Sequence, residues 1–213
     1  MASNKSERNP IVPIPLRDLF AIIDHLAKST PGPDQASRQN LADLIRFHFF
    51  TASRPCEAIA ARLCDFKPNG EFLIYRPKIG EQKHPDRTIY AGEPIRELVE
   101  SYRGKRKAKA FLFSQDGDTG KGAIPYTVRT YLRAFQRTCG ELGLPKYTLQ
   151  QIRHTVTTWL RAKHGIEPTW FLLGYDKKKK TVSDAQQLDE ASIMEILANW
   201  NREVETEVRQ GSN

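Results

Sequence analysis

Two arginines of the sequence lie where the predicted helices would expose a charged side chain, one at a helix start and one at the edge of a helix. Arg54 lies at the turn into a predicted helix, and Arg153 follows the apolar Ile152 at the edge of a second predicted helix stripe. Paired guanidinium groups bind a phosphate through parallel hydrogen bonds and neutralise its oxygens. Two ordinary interpretations stay open: an ion pair of Arg54 with Glu57 across one helical turn, and a solvated helix face at Arg153 and His154.

The segments around both arginines resemble sequence boxes of the tyrosine recombinases, the family of the phage-integrase catalytic domain. The first box, Thr-Gly-x-Arg-x-x-Glu, is matched at Thr51–Glu57 with Ala52 in the glycine place. The second, His-x-x-Arg-His-Thr, is matched at Gln150–Thr155. The third, Leu-Gly-His followed by Thr-x-x-Tyr, has its counterpart in Leu173–Tyr175 and Thr181–Asp184.

The resemblance covers about residues 14–205 and implies a site that acts on DNA. In this family a tyrosine hydroxyl attacks the scissile phosphate of duplex DNA to form a 3′-phosphotyrosyl linkage, while paired arginines stabilise the phosphoryl charge. A hairpin lysine protonates the leaving 5′-oxygen, and by position Lys78 is the first candidate for it, with Lys83 behind it. Because the linkage conserves bond energy, the resemblance implies no ATP, metal or other cofactor.

Three places of the family site hold other residue types here. Gln150 replaces the second-box histidine, and an amide cannot exchange protons near neutral pH. Tyr175 stands at the third-box His/Trp place, and Asp184 stands where the nucleophilic tyrosine is expected. We therefore expect a protein that binds duplex or branched DNA without strand transfer of its own. Two alternatives stay open: an active recombinase or integrase using Tyr175 or another tyrosine, and an accessory fragment that acts through protein contacts.

The candidate residues form two overlapping sets. The family positions of the catalytic residues are held by Arg54, Lys78, Arg153 and Tyr175, with Glu57 as a supporting acid. The predicted DNA contacts are Arg54, Lys78, Lys83, Arg153, His154, Lys177, Lys178, Lys179 and Lys180.

The charge of the chain is divided unevenly. The 213 residues carry a formal net charge of +8. From Asp184 onward seven acidic side chains oppose only Arg202 and Arg209, a net of −5, which leaves +13 on residues 1–183. A basic body of this size is typical of proteins that bind nucleic acid, although charge alone does not distinguish such a protein from a basic enzyme.

The sequence also predicts the elements that would position the candidate residues. The signals are apolar residues at helical spacing, capping residues and two short β-type runs. We expect a mainly α fold with a small antiparallel β-sheet (α+β), like a tyrosine-recombinase catalytic domain. The predicted units are a flexible arm at 1–13, the domain at 14–205 and a tail at 206–213. Predicted helices are 16–28, one ending near Ser53, 55–63, 94–102, 126–142, 148–165 and about 190–206; predicted strands are 71–76 and 87–91.

The remaining sequence features concern compartment and assembly. Three cysteines at unrelated spacings predict neither a disulfide framework nor a zinc site. With no membrane span and no secretory signal in the sequence, we expect a cytoplasmic, nucleoid-associated protein. The C-terminal helix carries an apolar stripe that predicts self-association by exchange between copies, or packing on its own chain: Ile193, Ile196, Leu197, Trp200 and Val204.

Overall fold

The computed structural model describes most of the chain. The described residues are 11–28, 32, 34–67, 72–75, 78–79, 82–83, 87–90, 92–117, 123–173 and 190–210.

The fold is mainly α, as predicted, with eight α-helices in the described residues. They are α1 (Leu16–Ala27), α2 (Gln35–Thr51), α3 (Pro55–Ala60), α4 (Glu93–Tyr102), α5 (Val128–Glu141), α6 (Leu149–His164), α7 (Ile166–Leu173) and α8 (Glu190–Gln210). Helix α3 ends earlier than expected and is followed by a single 3-10 turn. Helix α7 was not predicted, because it starts directly after the glycine that closes α6.

Two antiparallel strand pairs lie between α3 and α4. Strand β1 (Phe72–Tyr75) pairs with β4 (Arg87–Tyr90). Strand β2 (Lys78–Ile79) pairs with β3 (Gln82–Lys83) in a register that sets Lys78 opposite Lys83. The two candidate hairpin lysines therefore occupy facing positions of one short ladder.

Helix α2 is the centre of the core. It is buried on nearly every side from Asn40 to Thr51, as expected of a helix that other elements surround. Its Phe49 and Phe50 rings lie 5.5 and 5.2 Å from the Trp200 ring of α8. The central helix ends at Thr51, so the first arginine box begins where the packed core ends.

Helix α8 packs on its own chain in this structure. Leu197, Trp200 and Val204 are buried, and Trp200 is only 1% exposed. Polar contacts fix the helix further: Trp159 Nε1 donates to Glu207 Oε2 at 2.9 Å, and Arg202 Nη2 donates to Glu93 Oε2 at 3.1 Å. This corresponds to the packing alternative of the sequence analysis, while exchange between copies stays a prediction.

Among the described residues, no helix combines the length and the apolar character that crossing a membrane would require.

Replacing Trp200 by alanine tests the cis packing of α8. Removing a buried indole should cost about 3–5 kcal/mol of unfolding free energy, measured by urea unfolding followed by far-UV circular dichroism. Val128→Ala, at a position 43% exposed, is the matched control and should change stability by no more than about 0.5 kcal/mol. For a helix packed in cis the midpoint is independent of protein concentration. A midpoint that rises with concentration would show that the helix is exchanged between copies.

Candidate phosphate-binding site

The turn between α2 and α3 places the first arginine. Ala52 is the only described residue other than glycine with a positive φ, 44°, in the left-handed region. The Thr51 hydroxyl donates to the Phe47 carbonyl at 2.6 Å, and the Ser53 hydroxyl lies 3.0 Å from Thr51 Oγ1. All three residues from Thr51 to Ser53 are buried. Arg54 thus emerges from a tightly packed turn, and the family box has glycine at the strained position because only glycine adopts this φ at no cost.

Glu57 holds Arg54 in place. Its side chain is 0% exposed, and its two oxygens accept from the Arg54 backbone N–H at 2.7 Å and from Arg54 Nη1 at 2.9 Å. The Arg54 side chain itself remains 51% exposed. The predicted ion pair therefore exists, and it orients a guanidinium whose other side faces solvent.

Arg153 connects the second box to the same turn. Its Nη1 donates to the Ala52 carbonyl, across a sequence separation of 101 residues. The side chain is half-buried on α6, next to the half-buried His154. We call Ala52, Arg54, Glu57 and Arg153 the two-arginine site. Two motifs far apart in sequence meet there. If Arg153 belonged only to a solvated helix face, it would not make this contact.

A buried histidine that the sequence analysis missed lies beneath this site. His48 is 0% exposed, and its Nδ1 lies 3.1 Å from the hydroxyl of the equally buried Tyr131. Burial, with the positive charge of Arg153 as the second cause, lowers the pKa of His48 from 6.5 to about 3, while the Ser53 backbone opposes the fall. His48 is therefore neutral at physiological pH. Its only signal in the sequence is a histidine inside an apolar run, which does not identify a partner.

The start of helix α6 carries the glutamine that replaces the second-box histidine. Gln150 is exposed. Its neighbour Gln151 completes part of the predicted capping box, since its Oε1 accepts from the Thr148 backbone N–H at 2.7 Å. Gln151 Nε2 also donates to the Val12 carbonyl, which fixes the chain before α1 against α6.

Several predicted site residues are not tested by this geometry. The backbones of Lys78 and Lys83 are placed in β2 and β3, but the positions of their side chains are not described. Tyr175, Lys177–Lys180 and Asp184 lie outside the described residues. Within the described part of the chain, no three His, Cys, Asp or Glu side chains are grouped so that they could hold a metal ion.

The buried neutral His48 should make stability depend on pH. Its folded pKa, about 3, lies below the unfolded value of 6.5, so the unfolded chain binds one more proton and stability falls as pH drops below 6.5. Between pH 7 and pH 5 the wild type should lose about 2 kcal/mol relative to His48→Gln. Urea unfolding at each pH measures this difference. Val128→Ala, at an exposed position without an ionisable group, should retain the wild-type pH dependence, and parallel curves for wild type and His48→Gln would contradict the assignment.

Comparison with known proteins finds similarity at the level of structure. No protein-family model matches the sequence, and no curated protein sequence matches it. The fold is similar to that of a Tn1549 transposon integrase in complex with a circular intermediate DNA, with a TM-score of 0.63 and 18% identity over 93% of this chain and 68% of the other. XerA recombinase gives a TM-score of 0.56 and 17% identity over 93% and 67%. A lambda integrase dimer bound to a core site gives 0.59 and 11% over 88% and 65%.

The chain thus spans about two thirds of the length of these structures. At these identities the similarity concerns the fold. The described part of the chain resembles the catalytic domains of tyrosine recombinases and integrases.

Proposed function

We propose that this protein binds DNA, with the two-arginine site on a backbone phosphate, and that it does so without cutting the strand. The observation that carries the proposal is the hydrogen bond from Arg153 to the Ala52 carbonyl. It brings the guanidinium of Arg153 to the turn from which Arg54 emerges. Two arginines anchored at one turn favour an anion with several acceptor oxygens, and a phosphodiester is such an anion.

The electrostatics of the site support an anion rather than a cation. Glu57 compensates one arginine from a buried position, so its carboxylate does not face the solvent. His48 stays neutral and adds no charge beneath the site. The exposed, oriented guanidinium of Arg54 on a strongly basic body is then available to DNA. On binding, protein contacts would replace the counterions that are condensed on the DNA phosphates.

Other predicted contacts extend this interpretation. Lys78 and Lys83 face each other in the β2–β3 ladder, so one loop would present both charges. We include His154 and Lys177–Lys180 in the proposed DNA surface, as phosphate contacts that give affinity without sequence information. Among the structural neighbours, a Tn1549 integrase is described with circular intermediate DNA and a lambda integrase with a core site.

The proposal that the strand is not cut rests on the site residues of the resemblance. Asp184 takes the nucleophile place, where a carboxylate would repel the phosphate, and Gln150 takes the place of a proton-exchanging histidine. A protein with these residues keeps groups that hold a phosphate and lacks groups that move its protons and bonds. The alternative is an active recombinase whose nucleophile is Tyr175.

Domain layout and assembly complete the proposal. We assign the DNA-binding body to about residues 14–205, with residues 1–13 as an arm and 206–213 as a tail. Self-association through α8 on DNA stays part of the prediction, beside the cis packing of that helix.

Replacing Arg54 by glutamine should weaken DNA binding through the loss of one phosphate contact. Fluorescence anisotropy with a labelled duplex over a range of salt concentrations measures both affinity and salt dependence. The slope of log K against log salt should become shallower by about 1, with a similar loss on duplexes of unrelated sequence. Glutamine retains a donor for Glu57, which limits damage to the turn.

Arg209→Gln is the matched control, because it removes one exposed arginine from the acidic helix α8. It should retain the wild-type slope. Wild-type protein that binds no DNA, duplex or branched, at low salt would refute the proposed function.

A trapping experiment tests the proposed lack of cleavage. Nicked duplexes of random sequence lose a short fragment after cleavage, so the strand cannot be rejoined and a phosphotyrosyl adduct accumulates. Because the adduct is covalent, it would survive a denaturing gel. We expect no adduct from the wild type, while a tyrosine recombinase with its own nicked site forms one in the parallel control. An adduct that disappears in Tyr175→Phe would establish the recombinase alternative instead.

A further inference from the structure

A second group of arginines lies in a cleft between the start of α2 and helix α5. The cleft has a volume of about 590 Å³, and Arg38, Arg133 and Arg137 are among the residues that line it. We call it the arginine cleft. Its α5 wall runs from Thr130 to Glu141, which corresponds to about 16 Å of helix. The cleft is thus elongated and carries basic side chains along one wall.

The basic side chains of the arginine cleft share a carboxylate. Glu141 Oε2 accepts from Arg38 Nη2 at 3.1 Å and lies 3.0 Å from His25 Nε2, while Glu141 Oε1 is 3.8 Å from Arg137 Nε. One carboxylate therefore serves three basic groups. Asp34, exposed at the rim, also lines the cleft but makes no ion pair with a described residue.

Arg133 carries a positive charge that faces the cleft opening. It is exposed and makes no ion pair with any side chain in the described part of the chain. It also stands four residues before Arg137, and like charges at this helical spacing destabilise an isolated helix. An anion bound between the two side chains would remove that cost.

A tyrosine in the cleft provides a second observation. Tyr126 lines the arginine cleft and is only 7% exposed, yet its hydroxyl makes no hydrogen bond with any described residue. Burial raises the pKa of Tyr126 to about 12, so the hydroxyl keeps its proton and is a donor at neutral pH. A ligand oxygen in the cleft would accept a hydrogen bond from this donor.

We propose that the arginine cleft binds the phosphate backbone of DNA, as a second contact beside the two-arginine site. This inference rests on the proposed function and extends its DNA surface. Tyr131, one residue after Thr130, lies against His48, which in turn lies beside Arg153. Helix α5 thus contributes Thr130 to the cleft and Tyr131 to the packing around His48, next to the two-arginine site.

The lining of the cleft favours a polymer backbone over a small ligand. Small-molecule pockets are mostly enclosed and apolar, with few polar groups. Here two of the three arginines are exposed and the wall is long, which suits successive phosphates along a strand. Arginine, tyrosine and threonine donors are also the types that contact phosphate oxygens in protein–DNA complexes.

Neutralising two arginines tests the proposal. In Arg133→Gln/Arg137→Gln the slope of log K against log salt should become shallower by about 1.8, with an affinity loss of roughly tenfold or more at 0.1 M salt. The matched control, Arg17→Gln/Arg209→Gln, makes the same charge change at exposed positions outside the cleft. It should retain the wild-type slope.

The outcomes separate this inference from the proposed function. If the wild type binds DNA and the cleft variant matches it in slope and affinity, the cleft assignment is wrong and the proposed function stands. If the wild type binds no DNA, the proposed function itself fails. If inorganic phosphate at matched ionic strength raises the melting temperature of the wild type but not of the cleft variant, and DNA affinity is equal in both, the site takes free phosphate and the DNA assignment is overturned.

Tyr126→Phe provides a test without a change of charge. Losing one donor to a phosphate oxygen should weaken DNA binding by about threefold to tenfold. The salt slope should not change, because the hydroxyl is neutral. The melting temperature should not fall either, since no described residue accepts from this hydroxyl. Equal DNA affinity of Tyr126→Phe and wild type would contradict the role of the hydroxyl.

Discussion

The hydrogen bond from Arg153 to the Ala52 carbonyl is the contact on which the arrangement of the site depends. It joins helix α6 to the turn between α2 and α3, across 101 residues of sequence. The carbonyl is available because Ala52 adopts a positive φ, at a conformational cost of about 1–2 kcal/mol for a residue with a Cβ. The packed core around α2 must supply that energy. Folding thus anchors Arg153 to the turn from which Arg54 emerges.

The neutrality of His48 is a second condition for the same arrangement. A protonated imidazole beside Arg153 would add a buried like charge with no carboxylate to compensate it, and such charges are among the most costly groups in a protein interior. Contact with the Tyr131 hydroxyl satisfies one ring nitrogen without introducing charge. The His48–Tyr131 pair beneath the two-arginine site is therefore polar but uncharged.

Periodicity and motif spacing predicted much of this structure, and the failures have physical causes. The boxes at Thr51–Glu57 and Gln150–Thr155 singled out both arginines, because side-chain types are visible in a sequence, and their role in binding stays a prediction. The acceptor of Arg153 was not predictable, since it is a backbone carbonyl exposed by the conformation of Ala52. Nor was the pairing of His48 with Tyr131, which lie 83 residues apart and meet only through the packing of α2 on α5.

Holding and cutting a phosphate make different demands on a site. Binding needs positive groups in fixed positions. Their mutual repulsion destabilises the free protein, and a bound phosphate removes that repulsion. Glu57 limits that repulsion at Arg54 from a buried position, and Glu141 limits it in the arginine cleft. Strand cleavage needs in addition a nucleophile and groups that change protonation state during the reaction. His48, buried next to Arg153, stays neutral at physiological pH and is therefore not a group that changes protonation state there.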